Sequence, residues 1–391
     1  MQLAGGASAA ADSISSMSSI SCVDLLRRDG LAGGRQDDVR KSSGRCQEVE
    51  YGLEVSNIMG TMRNETPWVW APLEGMPDGA EGWALAGQAD LESEWARLRA
   101  ELKGDAAKER FVQGWLRERN RAFAIETGQI EGLYTLRRGV TEQLVAEGLS
   151  GVVGAHTYES LDDATIRGLL TDQEAALEMV FTDVAGGRAL SESMIKSWHQ
   201  LLTRHQQTVT GLDPTGRRVA VPFTTKGRWK IRPNNPRRGD GHVHQYCPPE
   251  QVPPEMERLL TLYADIAGSG YPVNVEAAWL HHRFVRTHPF QDGNGRVSRL
   301  LMAWAYLKRS LPPPIVSALG KPDYINALEL ADEGDLKAFS DYIGYIAMSS
   351  LNDANQLARQ AFAGRLNRPN GNGGRTVGDD YLSPLDPEVQ A

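Results

Sequence analysis

The chain has 391 residues, enough for one large or two ordinary globular domains, and 41% of them are hydrophobic against 24% charged. A formal net charge of -8 argues against a general binder of nucleic acid or anionic membranes. The three cysteines, Cys22, Cys46 and Cys247, are too widely spaced for a disulfide framework or a zinc site, which favours a reducing, cytoplasmic location. We also expect no secretory signal and no transmembrane helix, because no apolar run approaches roughly 18 residues.

Both ends of the chain differ in composition from its middle. Residues 1–60 are rich in Gly, Ala, Ser and Arg without sustained apolar periodicity, so we expect them to be disordered and dispensable. Residues 348–391 should contain the end of a helix and then a disordered tail. Between these ends the pattern is mainly helical, except at 217–248, where short alternating stretches predict a β-hairpin with a long tip.

Apolar residues at three-to-four spacing place the helices along the chain. Ser191 is a suitable N-cap for one of them and Asn274 for another, which Pro289 should end by disfavouring helix at His288. The predicted helices cover, in chain order, residues 91–102, 105–126, 141–148, 163–184, 191–206, 253–268, 274–287, 295–310, 323–332 and 335–350.

The stretch HPFQDGNGRVSR, residues 288–299, combines several groups suited to phosphate chemistry. Its glycines bring free backbone N–H groups to the start of a helix, which is a ready anion site. Arg296 and Arg299 add charge and fork-shaped donors for phosphate oxygens. Asp292 suits Mg²⁺ beside phosphates, and His288 has the pKa to remove a proton from an attacking hydroxyl. The stretch therefore predicts a nucleotide phosphate site with its own base.

Each of these residues also has an ordinary structural reading. Taken singly, Asp292 fits a turn or an N-cap, the glycines a tight turn, the arginines a solvated face, and His288 a structural histidine. A metal cluster of His281, His282, His288 and Asp292 is disfavoured, because His282 points away from the shared helical face and no HExxH spacing occurs. A Walker A loop would need a following GK[ST], and a dinucleotide fingerprint would need a preceding strand.

Taken together, the twelve residues resemble the signature of Fic (Fido) domains, His-Pro-Phe-x-Asp-Gly-Asn-Gly-Arg-x-x-Arg, at every defined position. The resemblance extends over about residues 188–347. It implies an all-α fold, a Fic-type helical bundle with a small β-hairpin flap, and transfer of AMP from ATP to a Ser, Thr or Tyr hydroxyl of a target protein. The roles that it implies are His288 as base, Asp292 as ligand of Mg²⁺ or Mn²⁺, Gly293, Asn294 and Gly295 as anion nest, Arg296 as phosphate ligand, and Arg299 as ligand of the γ-phosphate. Tyr324 would approach the adenine, although a core tyrosine is an equal reading.

A second, shorter pattern lies upstream in AIETGQIEGLYT. Thr127 and Glu131 are four residues apart and share a helical face, and Gly132 permits a turn; alone, Glu131 would be an ordinary solvated residue. Beside a Fic core the pattern resembles the class II inhibitory motif, Ser/Thr-x-x-x-Glu-Gly/Asn. That resemblance implies that Glu131 pairs with Arg299 and occupies the space of the γ-phosphate. Residues 61–187 would then be a helical region carrying an inhibitory motif at 127–132.

The leading hypothesis is a self-restrained protein adenylyltransferase. Alternatives on the same fold are removal of AMP, with Glu131 orienting a water, transfer of another nucleotide or phosphoryl group, and a nucleotide-responsive interaction module with negligible turnover. A DNA-binding regulator is disfavoured by the net charge and by the lack of a basic helix-turn-helix after residue 350.

The hairpin at 217–248 is the predicted docking site for the target, which could add to an open strand edge. The distinctive side chains of this hairpin are Trp229, Ile231 and the Arg237–Arg238 pair. The alternative is a hairpin with a purely structural role. The sequence names no target and no oligomeric state, and a homodimer stays open.

Overall fold

The structure is a computed structural model. It describes residues 69–102, 105–136, 141, 144–145, 157–158, 163–212, 215, 217–236 and 243–362. The predicted disorder at 1–60 and in the C-terminal tail, most of the predicted helix at 141–148, and the Arg237–Arg238 pair lie outside these residues.

The described part of the chain is mainly α-helical, which confirms the predicted all-α class. Its helices are α1 (Gln88–Leu102), α2 (Ala106–Ile130), α3 (Asp163–Ala185), α4 (Glu192–Leu202), α5 (Val252–Ile266), α6 (Val273–Thr287), α7 (Asn294–Lys308), α8 (Lys321–Asp332) and α9 (Leu336–Phe362). Its strands are β1 (Thr135–Leu136), β2 (Thr157–Tyr158), β3 (Thr208–Leu212) and β4 (Arg218–Pro222).

Helices α6 and α7 form the centre of the bundle, and α3, α4, α5 and α9 pack around them. Almost all of α7 is buried, and three tryptophans from three helices, Trp198, Trp279 and Trp304, are fully enclosed. Burial of this apolar surface is the main source of stability, and it fixes the loop between α6 and α7 on a rigid base. Within the described residues no helix combines the length and apolar character needed to cross a membrane.

Helix α9 is longer than its sequence pattern predicted, because its second half packs against α1. It continues to Phe362, and the Asn355 side chain donates a hydrogen bond to the Leu91 carbonyl oxygen at 3.0 Å. Ala354 and Ala358 are buried in the same half. The predicted domain end at residue 347 therefore falls inside a continuous helix.

The two predicted caps had different outcomes. The Ser191 hydroxyl accepts a hydrogen bond from the Met194 backbone N–H, which confirms the N-cap of α4. The prediction for Asn274 is wrong: α6 begins at Val273, and the Asn274 amide instead donates to the Ser340 hydroxyl at 2.9 Å. A fully buried asparagine needs a fixed partner, and α9 supplies it.

The predicted hairpin at 217–248 is also partly wrong. Strand β4 pairs with the preceding strand β3 in antiparallel register, with Thr210 opposite Ala220. Residues 223–236 follow an irregular path instead of returning as a strand. Pro233 and Pro236 lack the N–H groups that a continuous ladder would need, which explains why the later segment does not extend the sheet.

Candidate functional site

The loop between α6 and α7 is held in one conformation by backbone geometry and by one asparagine. His288 follows α6 with a φ of 49°, unusual for a residue with a Cβ, and Gly293 precedes α7 with a φ of 81°. The Asn294 side chain accepts from the Phe290 N–H at 2.9 Å and donates to the Phe290 oxygen at 2.8 Å. A strained histidine held in this way is a frequent feature of functional sites.

The His288 ring is fixed on two sides. Its Nδ1 lies 3.3 Å from the Val285 carbonyl oxygen, so Nδ1 carries the hydrogen and Nε2 presents the lone pair. The Tyr246 ring stacks on the imidazole with centroids 3.7 Å apart and planes 9° apart. Burial, reinforced by the Lys230 ammonium, lowers the pKa of His288 to about 3. The imidazole is therefore neutral at physiological pH and can accept a proton.

Asp292 is a carboxylate held ionised and oriented. Its Oδ1 accepts from the Gly293 N–H at 2.7 Å, and its Oδ2 accepts from the Gln206 amide at 2.6 Å. Burial alone would raise the pKa of Asp292, but the Arg296 guanidinium, Gln206 and the Gly293 N–H hold it below its usual value. The side chain keeps 36% exposure, so this carboxylate is reachable from solvent.

Arg296 is fully buried and has donors to spare. Its Nη2 donates to the Gln206 amide oxygen at 2.7 Å, whereas its Nε and Nη1 find no acceptor among the described residues. Buried donors without acceptors are costly, and they become favourable when an anion supplies the missing oxygens. Because Arg296 belongs to the first turn of α7, these donors add to the positive end of that helix.

Arg299 is occupied by the end of helix α2. Its Nη2 lies 2.6 Å from Glu131 Oε1 and 3.3 Å from the Thr127 oxygen, and its Nε donates to the Thr127 hydroxyl at 3.3 Å. Burial would lower the pKa of Arg299, but Glu131 and Tyr324 raise it. A Cβ built on Gly295 would overlap Glu131 Oε1, so this carboxylate lies against the first turn of α7. The predicted anion nest and the predicted inhibitory glutamate are thus in contact.

Helix α2 ends immediately before Glu131 through a glycine turn. Gly132 has a φ of 68°, the Leu133 N–H donates to the Gly128 oxygen at 3.1 Å, and the Gly132 N–H donates to the Gln129 oxygen at 3.0 Å. This pair of bonds is a Schellman motif, which requires a left-handed residue at its turn. The glycine predicted from sequence to permit a turn does so, and the turn fixes the direction of Glu131.

Gln206 and His199 belong to the site but were missed by sequence reasoning. Gln206 lies 86 positions before Asp292 and bridges it to Arg296. His199 accepts from the Gly227 N–H at 2.8 Å, which leaves its Nε2 hydrogen for the Asp292 carbonyl oxygen at 2.9 Å. Neither lies in a motif with the loop, so no spacing pattern could have identified them.

Tyr324 lies inside the bundle. Its hydroxyl is 2.8 Å from His281 Nε2 and 3.4 Å from Arg299 Nη1, and only 3% of its surface is exposed. The predicted contact with adenine stays a prediction. His282 turns to Asp332, with Nε2 3.0 Å from Oδ1, rather than joining His281.

Comparison with known proteins identifies this architecture. Residues 189–306 match the model of the Fic/DOC family. This part of the chain is similar to a Fic domain. Over 112 residues it is 38% identical to "Protein adenylyltransferase Fic" of Drosophila willistoni, covering 27% of this chain and 22% of the relative. Over 82 residues it is 42% identical to the protein of the same name from Drosophila mojavensis, covering 21% and 16%. The chain spans only about a fifth of the length of the curated relatives it matches.

Solved structures extend the likeness beyond the Fic domain itself. A Fic-domain-containing signaling protein from Bacteroides thetaiotaomicron aligns with a TM-score of 0.56 and 25% identity, over 70% of this chain and 97% of that one. Fic-1 from C. elegans aligns with a TM-score of 0.50 and 22% identity, over 70% and 72%, a likeness of fold alone.

Proposed function

We propose that this chain is a protein adenylyltransferase, which moves AMP from ATP to a Ser, Thr or Tyr hydroxyl of a target protein and is restrained by Glu131. The observation that carries the proposal is the fully buried Arg296, whose Nε and Nη1 have no acceptor in the described residues at the first turn of α7. A triphosphate would satisfy these donors and the free N–H groups of the helix start. The similarity to adenylyltransferase-named relatives supports the nature of the donor.

The reaction needs one base and one set of phosphate donors. The Nε2 lone pair of His288 takes the proton from the target hydroxyl, and the hydroxyl oxygen attacks the α-phosphorus of ATP. The new oxygen–phosphorus bond forms as the bond to the β-phosphate oxygen breaks, so pyrophosphate leaves. Arg296 and the α7 terminus stabilise the developing negative charge, and His288 later releases its proton to solvent.

Asp292 would hold a divalent cation. It is an ionised carboxylate with 36% exposure, and hard cations such as Mg²⁺ or Mn²⁺ prefer such oxygen ligands. When bound, the cation would neutralise charge on the phosphate oxygens. Gln206 and the Gly293 N–H hold the carboxylate in one orientation.

Glu131 restrains the enzyme by occupying the partner of the γ-phosphate. Its carboxylate is bound to Arg299 and lies against Gly295, where the terminal phosphate of ATP would bind. ATP can bind productively only when this pair has been broken. We place target docking beside His288, and the cysteine spacing supports a cytoplasmic location.

The experiment uses ATP labelled on the α-phosphate, Mg²⁺ and host lysate, with the parent protein, Glu131→Gly and Glu131→Gly/His288→Ala. If the ion pair is worth roughly 3 kcal/mol, Glu131→Gly should incorporate label about 100-fold faster. The double variant should lose incorporation by a factor of about 10² to 10⁴ yet keep its calorimetric ATP affinity. Absence of labelled protein with Glu131→Gly, or full incorporation without His288, would contradict the proposal.

A further inference from the structure

One short segment of this acidic protein is strongly basic. Residues 226–238 contain six Lys or Arg residues and no Asp or Glu, although the whole chain has a net charge of -8. Arg237 and Arg238 lie outside the described residues, and the described basic residues of the segment are Lys226, Arg228, Lys230 and Arg232. Such a concentration creates a local positive potential that attracts an anionic partner.

This segment lies along the loop that carries His288. The Gly227 N–H donates to His199, the Lys230 N–H donates to the Pro289 oxygen at 2.7 Å, and the Asn234 amide donates to the Phe290 oxygen at 2.8 Å. The last two bonds tie Lys230 and Asn234 directly to the sequence immediately after His288, and Gly227 is linked to it through His199, whose Nε2 donates to the Asp292 carbonyl oxygen. Any group bound on the outer side of the segment is therefore held near the base.

The side chains of residues 228–232 divide into an inner and an outer set. Lys230 is 3% exposed and its Nζ donates to Asn234 Oδ1 at 2.9 Å, whereas Arg228, Ile231 and Arg232 are exposed. Ile231 is 76% exposed, which is high for a large apolar side chain. Neither the Arg228 nor the Arg232 guanidinium makes a hydrogen bond or ion pair within the described residues. The outer set thus presents one apolar and two cationic groups to solvent.

We propose that residues 228–232 dock an acidic segment of the target protein, with carboxylates near the hydroxyl that is modified. This inference rests on the proposed function and names its substrate class. Arg228 and Arg232 pair with the carboxylates, while an apolar side chain of the target covers Ile231. Exposed charges at the rim of an interface mainly raise the rate of association and discriminate between partners. A modifying enzyme needs both properties in its docking surface.

Two other anions fit the outer set less well. The donors proposed for a triphosphate are on α7, where Arg296 is buried and its Nε and Nη1 find no acceptor among the described residues. Sites for single-stranded nucleic acid present aromatic rings on which bases stack, whereas the exposed apolar side chain here is Ile231. A protein segment with carboxylates and an apolar side chain would contact all three outer side chains.

The test compares peptides of equal length that share one hydroxyl and differ only in flanking residues, acidic, amide or basic. Transfer of labelled AMP is measured with Glu131→Gly and with Glu131→Gly/Arg228→Glu/Arg232→Glu. The matched control is Glu131→Gly/Arg258→Glu, which reverses the charge of an exposed arginine of α5. We expect kcat/KM to rank acidic above amide above basic peptides, and the double reversal to lower it for acidic peptides by about tenfold or more.

The double reversal should also improve use of the basic peptides, while the Arg258→Glu control keeps the parent ranking and all variants keep the same KM for ATP. No preference for acidic peptides, or a preference that survives the double reversal, overturns the proposal. A raised KM for ATP with no change among peptides would assign the arginines to the nucleotide instead.

A binding measurement separates this inference from the proposed function. Fluorescence anisotropy of a labelled acidic peptide with the parent protein needs no turnover, and binding should weaken about tenfold in the double reversal and with rising salt. Retained, charge-dependent binding together with absent AMP transfer would refute the adenylyltransferase proposal alone. Equal binding of a single-stranded oligonucleotide of matched charge would refute the protein-segment proposal.

Discussion

The Oε1 atom of Glu131 lies 2.6 Å from Nη2 of Arg299, although 168 positions separate the two residues in the chain. The Arg299 side chain is 1% exposed and the Glu131 side chain 23%, so the pair is shielded on one side and open on the other. A pair of this kind is strong when intact, and removing one partner leaves the other charge poorly solvated. The effect of Glu131 on activity should therefore depend on its charge as well as on its size.

Glu131→Gln separates these two contributions. The amide keeps nearly the same volume against Gly295 but loses the ionic attraction to Arg299. We expect a rate of labelled-AMP incorporation between those of the parent and Glu131→Gly. Arg299→Ala, in contrast, should show no gain, because it also deletes the donors proposed for the γ-phosphate. Equal rates for the parent and Glu131→Gln would mean that space alone restrains the enzyme.

Gly295→Ala should release the restraint by steric means. Its Cβ would overlap Glu131 Oε1, which is the movable end of a flexible side chain, so the carboxylate must withdraw from α7. We expect faster AMP incorporation in the parent background and no further gain in the Glu131→Gly background. The double-mutant cycle measures this coupling. An equal loss of rate in both backgrounds would show that the added methyl group obstructs the nucleotide.

Gln206→Leu should weaken the proposed phosphate site from outside the motif. The change removes the acceptor of Arg296 Nη2 and a donor to Asp292, and it leaves the buried guanidinium with a further unmet donor. We expect the free energy of unfolding to fall by about 1–3 kcal/mol. Calorimetry should also show that ATP binding needs more Mg²⁺. The neighbouring Gln207→Leu, at an exposed position, is the matched control and should leave both quantities unchanged.

Stability should fall as pH falls below about 6.5. Burial lowers the pKa of His199 and His288 to about 3 in the folded chain, against 6.5 ordinarily. Between these values the unfolded chain binds protons that the folded chain does not, so acid favours unfolding by up to about 1.4 kcal/mol per pH unit for each histidine. Urea unfolding at pH 7, 6 and 5 measures the slope. A His288→Gln variant should show a shallower slope, and an unchanged one would contradict the assigned burial effect.

Local signals predicted the site loop well. Pro289 set the end of α6 at Thr287, and the glycines before Arg296 set the start of α7 at Asn294. The Thr127-to-Gly132 pattern placed Glu131 at a helix end, and the structure brings it to Arg299. In each case a few adjacent residues determine the backbone, so their chemistry is readable from sequence.

Contacts between distant segments were not predictable in this way. The pairing of β3 with β4 was missed because Thr208–Leu212 follows a helix closely and carries no strong alternation. Asn274 donates a hydrogen bond to Ser340 in α9 instead of capping its own helix. Tyr246, 42 positions before His288, stacks on the His288 ring. These choices are made by packing between elements, which a single sequence does not specify.

Under the proposed function, the glutamate would compete with the γ-phosphate as a tethered group, because Glu131 and Arg299 belong to one chain. Its effective concentration does not depend on how much protein is present, and for tethered groups it is commonly in the millimolar range or above. Helix α2 also packs on α3 and α9, which keeps the carboxylate in place between encounters. Under the proposed function, a rise in ATP supply would relieve the restraint only slightly. The rate of AMP transfer would instead depend on any event that shifts α2 relative to α7. The enzyme would therefore respond to binding at that helix rather than to the ATP level of the cell.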